Sequence, residues 1–134
     1  MTTDARLHTS LCDLLGIEYP IIQTGMGWVA GPRLTSATSN AGGLGILASA
    51  TMDFAQTRES IASIKAKTAK PFGVNMRADA ADIDDRISLL IDEGVKVASF
   101  AQAPKRELIA RLKENGVIVI PSIGAKRHAE KVLE

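Results

Sequence analysis

Two short stretches carry glycine densely enough to bring backbone amides against a ligand: Gly25-Met26-Gly27 and Asn40-Ala41-Gly42-Gly43-Leu44-Gly45. The dinucleotide fingerprint G-x-G-x-x-G must sit between a strand and a helix, with its third glycine three positions after the second. Gly25 and Gly27 give only the first half, because Gly31 falls one position late. The second stretch lies after a helical pattern and before a strand. It is therefore at the wrong end for a ligand site and suits a helix C-cap with close helix–sheet packing. Asn75 closes a short apolar run, and its carboxamide can both donate and accept hydrogen bonds. Gln102, Ser122, Gly124 and Lys126 follow later apolar runs, with Lys126 expected to be a solvated helix lysine. Neither His8 nor His128 is placed as a general base is, and both are expected at the surface. The single cysteine, Cys12, cannot form an intrachain disulfide and has no metal-type spacing around it. It is expected to pack an N-terminal helix against the floor of the fold.

These residues are carried by a repeating unit of apolar run, small-residue loop and amphipathic run. Strands are predicted at Ile21–Thr24, Leu44–Ala48, Phe72–Met76, Val95–Phe100 and Val117–Pro121. Between them lie helical patterns. The first opens at Gly31-Pro32, with proline where a missing N–H is harmless. The second is capped by Asp53, carries Lys65, Lys67 and Lys70 near its end, and is stopped by Pro71. Further helices are predicted from Asp82 to Gly94, from Pro104 to Asn115-Gly116, and from near Ala125 onward. The strands are apolar on both faces, as parallel strands covered on both sides are. Strand–helix alternation implies parallel strands joined by crossovers. Five units of about 23–27 residues result, within boundary errors of a few residues. No linker divides them, so residues 1–134 are expected to form one domain. A (β/α)8 barrel needs eight units and about 250 residues. On periodicity alone, part of a barrel and a complete five-stranded open sheet both remain possible.

Composition narrows the function classes. Aromatic residues make up 4% and the formal net charge is +1, so neither base stacking nor attraction to nucleic acid or an acidic membrane is expected. The first residues, Met1-Thr2-Thr3-Asp4-Ala5-Arg6, lead into no signal-type apolar run. No apolar stretch approaches the roughly 20 residues of a membrane span. The expectation is a cytoplasmic protein.

Three segments carry a specific resemblance: Leu14 through Gly27, Ser39-Asn40-Ala41-Gly42-Gly43-Leu44-Gly45, and Pro71-Phe72-Gly73-Val74-Asn75. Together, at these distances, they resemble the opening of nitronate monooxygenases, formerly 2-nitropropane dioxygenases. They are also similar to the flavin-dependent enoyl-acyl-carrier-protein reductases of that superfamily. The resemblance implies an α/β fold consisting of the N-terminal five β/α units of a TIM (β/α)8 barrel, incomplete in this chain. It implies FMN as cofactor, with NAD(P)H as reductant and a small-molecule substrate. Thr24, Gly25, Met26, Gly27 and Asn75 match positions around the flavin. Small residues at a strand end let backbone amides approach a flat ring and tune it. Gln102 and Ser122 are expected to reach substrate. The family's catalytic histidine lies in a Gly-Gly-His motif on the next β/α unit, past Glu134, and its phosphate site comes from the last two strands.

Two departures matter. Thr24-Gly25 stands where many nitronate monooxygenases have Ala-Pro, and Gly31-Pro32 where many have Thr-Pro. With Trp28-Val29-Ala30 and the run Arg77–Asp82, this looks closer to flavin reductases of steroid-ring degradation that act on CoA-linked intermediates. The expected activity is therefore FMN-dependent oxidation of alkyl nitronates or flavin-mediated reduction of a CoA-linked enone. The alternatives are a non-catalytic half-barrel that assembles as a homodimer, a swapped dimer or with another chain, and, ranked last, an unrelated open-sheet domain.

Overall fold

In a computed structural model, residues 5–133 are described, so the reading of Met1–Asp4 and the final Glu134 lie outside the described residues. A 3-10 turn (Ala5–Leu7) and helix α1 (Ser10–Leu15) precede five strand–helix units. These are β1 (Ile22–Gln23) and α2 (Pro32–Asn40), β2 (Leu44–Ala48) and α3 (Phe54–Lys65), β3 (Phe72–Met76) and α4 (Ile83–Asp92), β4 (Val97–Phe100) and α5 (Arg106–Glu114), and β5 (Ile118–Pro121) and α6 (Lys126–Leu133).

The order of the strands decides between the two architectures that periodicity left open. All pairs are parallel and the order is β1-β2-β3-β4-β5. A doubly wound sheet reverses its strand order at a switch point. None occurs here, so each unit steps the sheet one strand further in the same direction, as in a barrel. The result is a half-barrel whose edge strand β5 pairs only with β4 among the described residues.

Register separates the two faces. Leu47, Val74, Met76, Ala98 and Phe100 point outward and form one buried cluster with Ile61 and Ile64 of α3, Ile87 and Leu90 of α4, and Leu112 of α5. The helices contribute residues at three- and four-residue spacing, the stripe that a sheet-packed helix needs. On the inner face, Ile46, Gly73, Val97 and Ile118 are register partners, and the next layer is Ala48, Asn75, Ser99 and Ile120. Such layers of inward side chains are how a barrel interior is filled. A Cβ on Gly73 would lie 3.1 Å from Val97 Cβ and 3.3 Å from Ile46 Cγ1, so its small size lets the larger neighbours fill the layer. Below, Cys12 and Leu15 of α1 pack with Leu44, Ile46 and Val97 and close the floor, as expected for Cys12.

Several element boundaries differ from the sequence reading; strand β5, for one, starts at Ile118, because Val117 N–H closes the end of α5 on Leu112 O. Strand β1 keeps two residues because only Ile22 and Gln23 pair with β2. Strand β4 starts at Val97: Val95 N–H instead closes the end of α4 on Leu90 O. Helix α3 ends at Lys65, not near Pro71; Lys67 lies past its end and turns back to donate to Ser63. Helix α5 begins at Arg106 rather than Pro104. Asp53 does cap α3, accepting from Gln56 N–H while the Gln56 side chain accepts from Asp53 N–H, a reciprocal capping box.

Candidate functional site

The C-terminal ends of parallel strands in such a fold are where ligands bind, because the connecting loops there are free to vary. At this rim, the glycine stretch and Asn75 meet. A Cβ on Gly25 would lie 2.5 Å from Asn75 Cβ and 2.9 Å from its Cγ. Only glycine therefore lets the loop after β1 close over the end of β3. Asn75 Nδ2 donates to Ser99 Oγ at 3.2 Å, fixing the carboxamide on the neighbouring strand. Asn75 also receives two bonds on its carbonyl oxygen, from Ser49 N–H (3.1 Å) and Ser49 Oγ (2.8 Å). Its side-chain oxygen accepts from no group among the described residues, and Gly25, Met26 and Gly27 donate no N–H bond there. Open amides and a carboxamide oxygen are thus accessible at one rim, where a ligand can hydrogen-bond to them.

Next to them stands an exposed apolar turn. Met26 O accepts from Val29 N–H (3.1 Å) and Ala30 N–H (2.8 Å), and Ala30 O accepts from Ala48 N–H (2.9 Å). The turn is thus anchored to β2 through buried Ala30. It holds Trp28 at φ 59° with 92% of its surface exposed. The left-handed conformation costs an L-residue roughly 1–2 kcal/mol. Asparagine tolerates it better, and this indole gives up no burial. Trp28→Asn is accordingly expected to raise stability by up to about 1 kcal/mol, read as a higher urea midpoint with unchanged slope; a fall would show that the indole packs.

The remaining expected site residues scatter. Thr24 follows β1 beside Gly25, and its carbonyl accepts from the Gln23 side chain. Gln102 is exposed in the loop after β4, and Ser122 is exposed after β5, tied only by its N–H to Phe100 O (2.9 Å). Among the described residues, neither hydrogen-bonds to Asn75 or Gly25. Lys126 pairs with Glu130 on the exposed face of α6. His8 pairs with exposed Asp13, and His128 is exposed on α6. The Asn40–Gly45 stretch lies at the opposite end of the sheet. Gly42 (φ +97°) receives Glu18 and Tyr19 N–H on its carbonyl, and Asn40 ties α2 to Lys67 and Thr68. That confirms the structural reading of this stretch.

Sequence reasoning missed Arg86. It is 6% exposed and donates to Ser49 O, Ser49 Oγ, Thr57 Oγ1, Met52 O and Asp82. The spacing Asp82…Arg86, four apart, was the only available signal. The Arg86 hydrogen bond holds the Asp82 carboxyl below its ordinary range. A depressed carboxyl pKa stabilises the fold in full above the unfolded value, near 3.9. That contribution is lost as pH falls through the lowered, folded value. Asp82→Asn is expected to flatten the acid limb of a stability–pH curve and to leave pH dependence above about 5 unchanged.

No cluster of metal-ligating residues and no helix long and apolar enough to cross a membrane occurs among the described residues. A family model described as nitronate monooxygenase matches residues 8–87. A (3aS,4S,5R,7aS)-5-hydroxy-7a-methyl-1-oxo-octahydro-1H-indene-4-carboxyl-CoA dehydrogenase of Mycobacterium tuberculosis is 68% identical over 127 residues, spanning 95% of this chain and 36% of that protein. Its namesake in Rhodococcus jostii is 64% identical over 126 residues, again spanning 36% of the longer protein. Among solved structures, FabK from Thermotoga maritima superposes with a TM-score of 0.89 at 40% identity, covering 94% of this chain and 40% of that one. The chain thus spans little more than a third of the length of these two curated relatives.

Proposed function

The chain belongs to the nitronate monooxygenase family, and we propose that it forms the flavin-ring wall of an FMN-dependent oxidoreductase acting on a CoA-linked, fused-ring substrate. One observation carries the cofactor part: Gly25, in the loop after β1, and Asn75 of β3 close on each other at the C-terminal rim beside open backbone donors and a carboxamide acceptor. A flavin ring edge presents acceptors and an N–H, so it fits that set. Gly25, Met26, Gly27 and Asn75 would hold it, with Thr24 at the entry to the loop. Bound flavin supplies the hydride or electron transfer. The chain's own residues orient the ring, and the carboxamide of Asn75, fixed by Ser99, donates or accepts without changing charge.

The substrate part rests on the two relatives named as indene-carboxyl-CoA dehydrogenases, with 68% and 64% identity. The exposed Met26–Val29 turn supports it, because an apolar ring system finds apolar surface there. Gln102 and Ser122 line the same rim further along. A nicotinamide nucleotide serves as the exchange partner for the electrons. The apolar groove beside β5, lined by Leu14, Ile109, Ile118, Ile123 and Leu133, suits the further β/α units of a barrel. A second copy is the other candidate occupant.

The test is the visible spectrum of the purified full-length protein after gel filtration. Without oxygen, a flavin spectrum bleached by a nicotinamide nucleotide and restored by an α,β-unsaturated CoA thioester of a fused-ring acid, whose C=C bond takes up the hydride and a proton, is expected. A protein that stays colourless with added FMN overturns the cofactor; oxidised flavin that is bleached by an alkyl nitronate, and reduced flavin that the unsaturated thioester leaves bleached, overturn the substrate.

A further inference from the structure

We propose that Arg86 is a positioning residue of this site: from α4 it clamps the β2–α3 loop, and through that loop it sets the places of Asn75 and Gly27. The inference rests on the reading of this rim as the flavin-ring wall.

The loop between β2 and α3, residues 49–53, has no regular structure of its own. Arg86 supplies what holds it. Nη1 donates to Ser49 O (3.1 Å), Ser49 Oγ (3.4 Å) and Thr57 Oγ1 (3.1 Å); Nη2 donates to Met52 O (2.7 Å); Nε donates to Asp82 (2.9 Å). Only the last bond stays on α4. The fork therefore grips both ends of the loop and the first turn of α3. Five donors in a rigid plane can do this, whereas a lysine ammonium offers three from a single point.

From the loop, two contacts reach the site. Ser49, fully buried, gives both its N–H and its hydroxyl to Asn75 O, so the backbone at the end of β3 is held by the residue that Arg86 holds. Thr51 Cγ2 would lie 3.2 Å from a Cβ on Gly27. The loop thus bounds the glycine turn on one side and secures Asn75 on the other. A role in stability alone gives no reason for the guanidinium, since apolar packing of similar volume stabilises at least as well as a buried ion pair. A requirement to hold an irregular loop at a ligand rim does.

The experiment uses the full-length protein and three variants: Arg86→Met, Arg86→Lys and, as a control, Leu112→Ala, whose buried side chain in α5 belongs to the outer core and offers the loop no hydrogen bond. Amide hydrogen exchange at residues 49–53 is measured without ligand, and FMN affinity and the bound-flavin absorption band are measured by titration. Arg86→Met is expected to speed loop exchange at least tenfold, weaken FMN at least tenfold and shift the band. Arg86→Lys, which keeps the charge and so protects the fold if the methionine variant fails, is expected to show the same changes at about fivefold. Leu112→Ala is expected to lower the melting temperature while leaving loop exchange and FMN affinity within twofold. Arginine variants that move FMN no more than Leu112→Ala does, or that leave loop exchange unchanged, overturn the proposal. A wild type that takes up no FMN sinks the flavin reading, and exchange then decides the clamp by itself: faster exchange in the arginine variants supports it, and unchanged exchange overturns it.

Discussion

Replacing Gly45 with alanine is expected to destabilise the protein by about 3 kcal/mol or more, the upper end of what overpacking costs. The reason is the geometry of α2 on β2. A Cβ at Gly45 would overlap the Thr35 carbonyl oxygen and lie 2.7 Å from its carbonyl carbon and 2.8 Å from its Cα. These are backbone atoms of a helix, so no rotamer change relieves the overlap. The whole of α2 must lift, which breaks the bond from Gly45 N–H to Ser39 Oγ (3.2 Å) and opens the buried layer of Thr35, Ser36 and Ser39. Against a total stability of roughly 5–15 kcal/mol, the loss is severe. Gly31→Ala is the matched control, because nothing lies within 4 Å of a Cβ there and its φ is −85°. Denaturant unfolding of both variants checks the expectation; equal midpoints would show that α2 does not pack on Gly45.

The second large effect falls on binding rather than folding. Gly25→Ala would place a methyl 2.5 Å from Asn75 Cβ and 3.2 Å from its Oδ1. Gly25 lies in an exposed-rim loop, which can yield, so stability should fall by no more than about 1 kcal/mol, within the ordinary range for a single substitution. To yield, either the loop lifts or Asn75 swings off Ser99. Either movement separates the two halves of the ring wall, and displacement of a positioning group by about 1 Å can cost on the order of 100-fold. A loss of FMN affinity of that order is expected. Gly25→Ala combined with Asn75→Gly removes the clash. It should restore stability and leave flavin affinity low, because the carboxamide is gone. Recovery of affinity in the double variant would show that Asn75 takes no part.

Much of this fold can be read from the amino-acid order. The start of α3, strand β3 and helix α4 fall where the periodicity placed them, because each is bounded by a residue with one clear meaning: Asp53 as a cap, Pro71 before a strand, Gly94 as a left-handed stop at φ +67°. Periodicity could not say whether five strands curl or lie open, since that depends on their spatial order. The meeting of Gly25 with Asn75 was legible only through family resemblance, because a contact between residues fifty positions apart leaves no local pattern. Arg86 was invisible for a related reason. An arginine four after an aspartate on an amphipathic helix is ordinarily a surface pair, and only the β2–α3 loop laid over it makes it buried. Ser99 was hidden within an apolar run, where a small hydroxyl does not interrupt the strand pattern. Trp28 looked like a family marker and gave no hint of its left-handed backbone.

The central claim is that the cofactor sits at the C-terminal rim, against Gly25–Gly27 and Asn75, and not at the more glycine-rich turn of Asn40–Gly45. A crystal structure of the full-length protein grown with FMN tests it most directly. The account predicts ring density in contact with the Gly25–Gly27 backbone and within hydrogen-bond distance of the Asn75 carboxamide. Ring density at the Asn40–Gly45 turn, or a bound flavin that leaves Asn75 and the Gly25–Gly27 amides without contact, would contradict it.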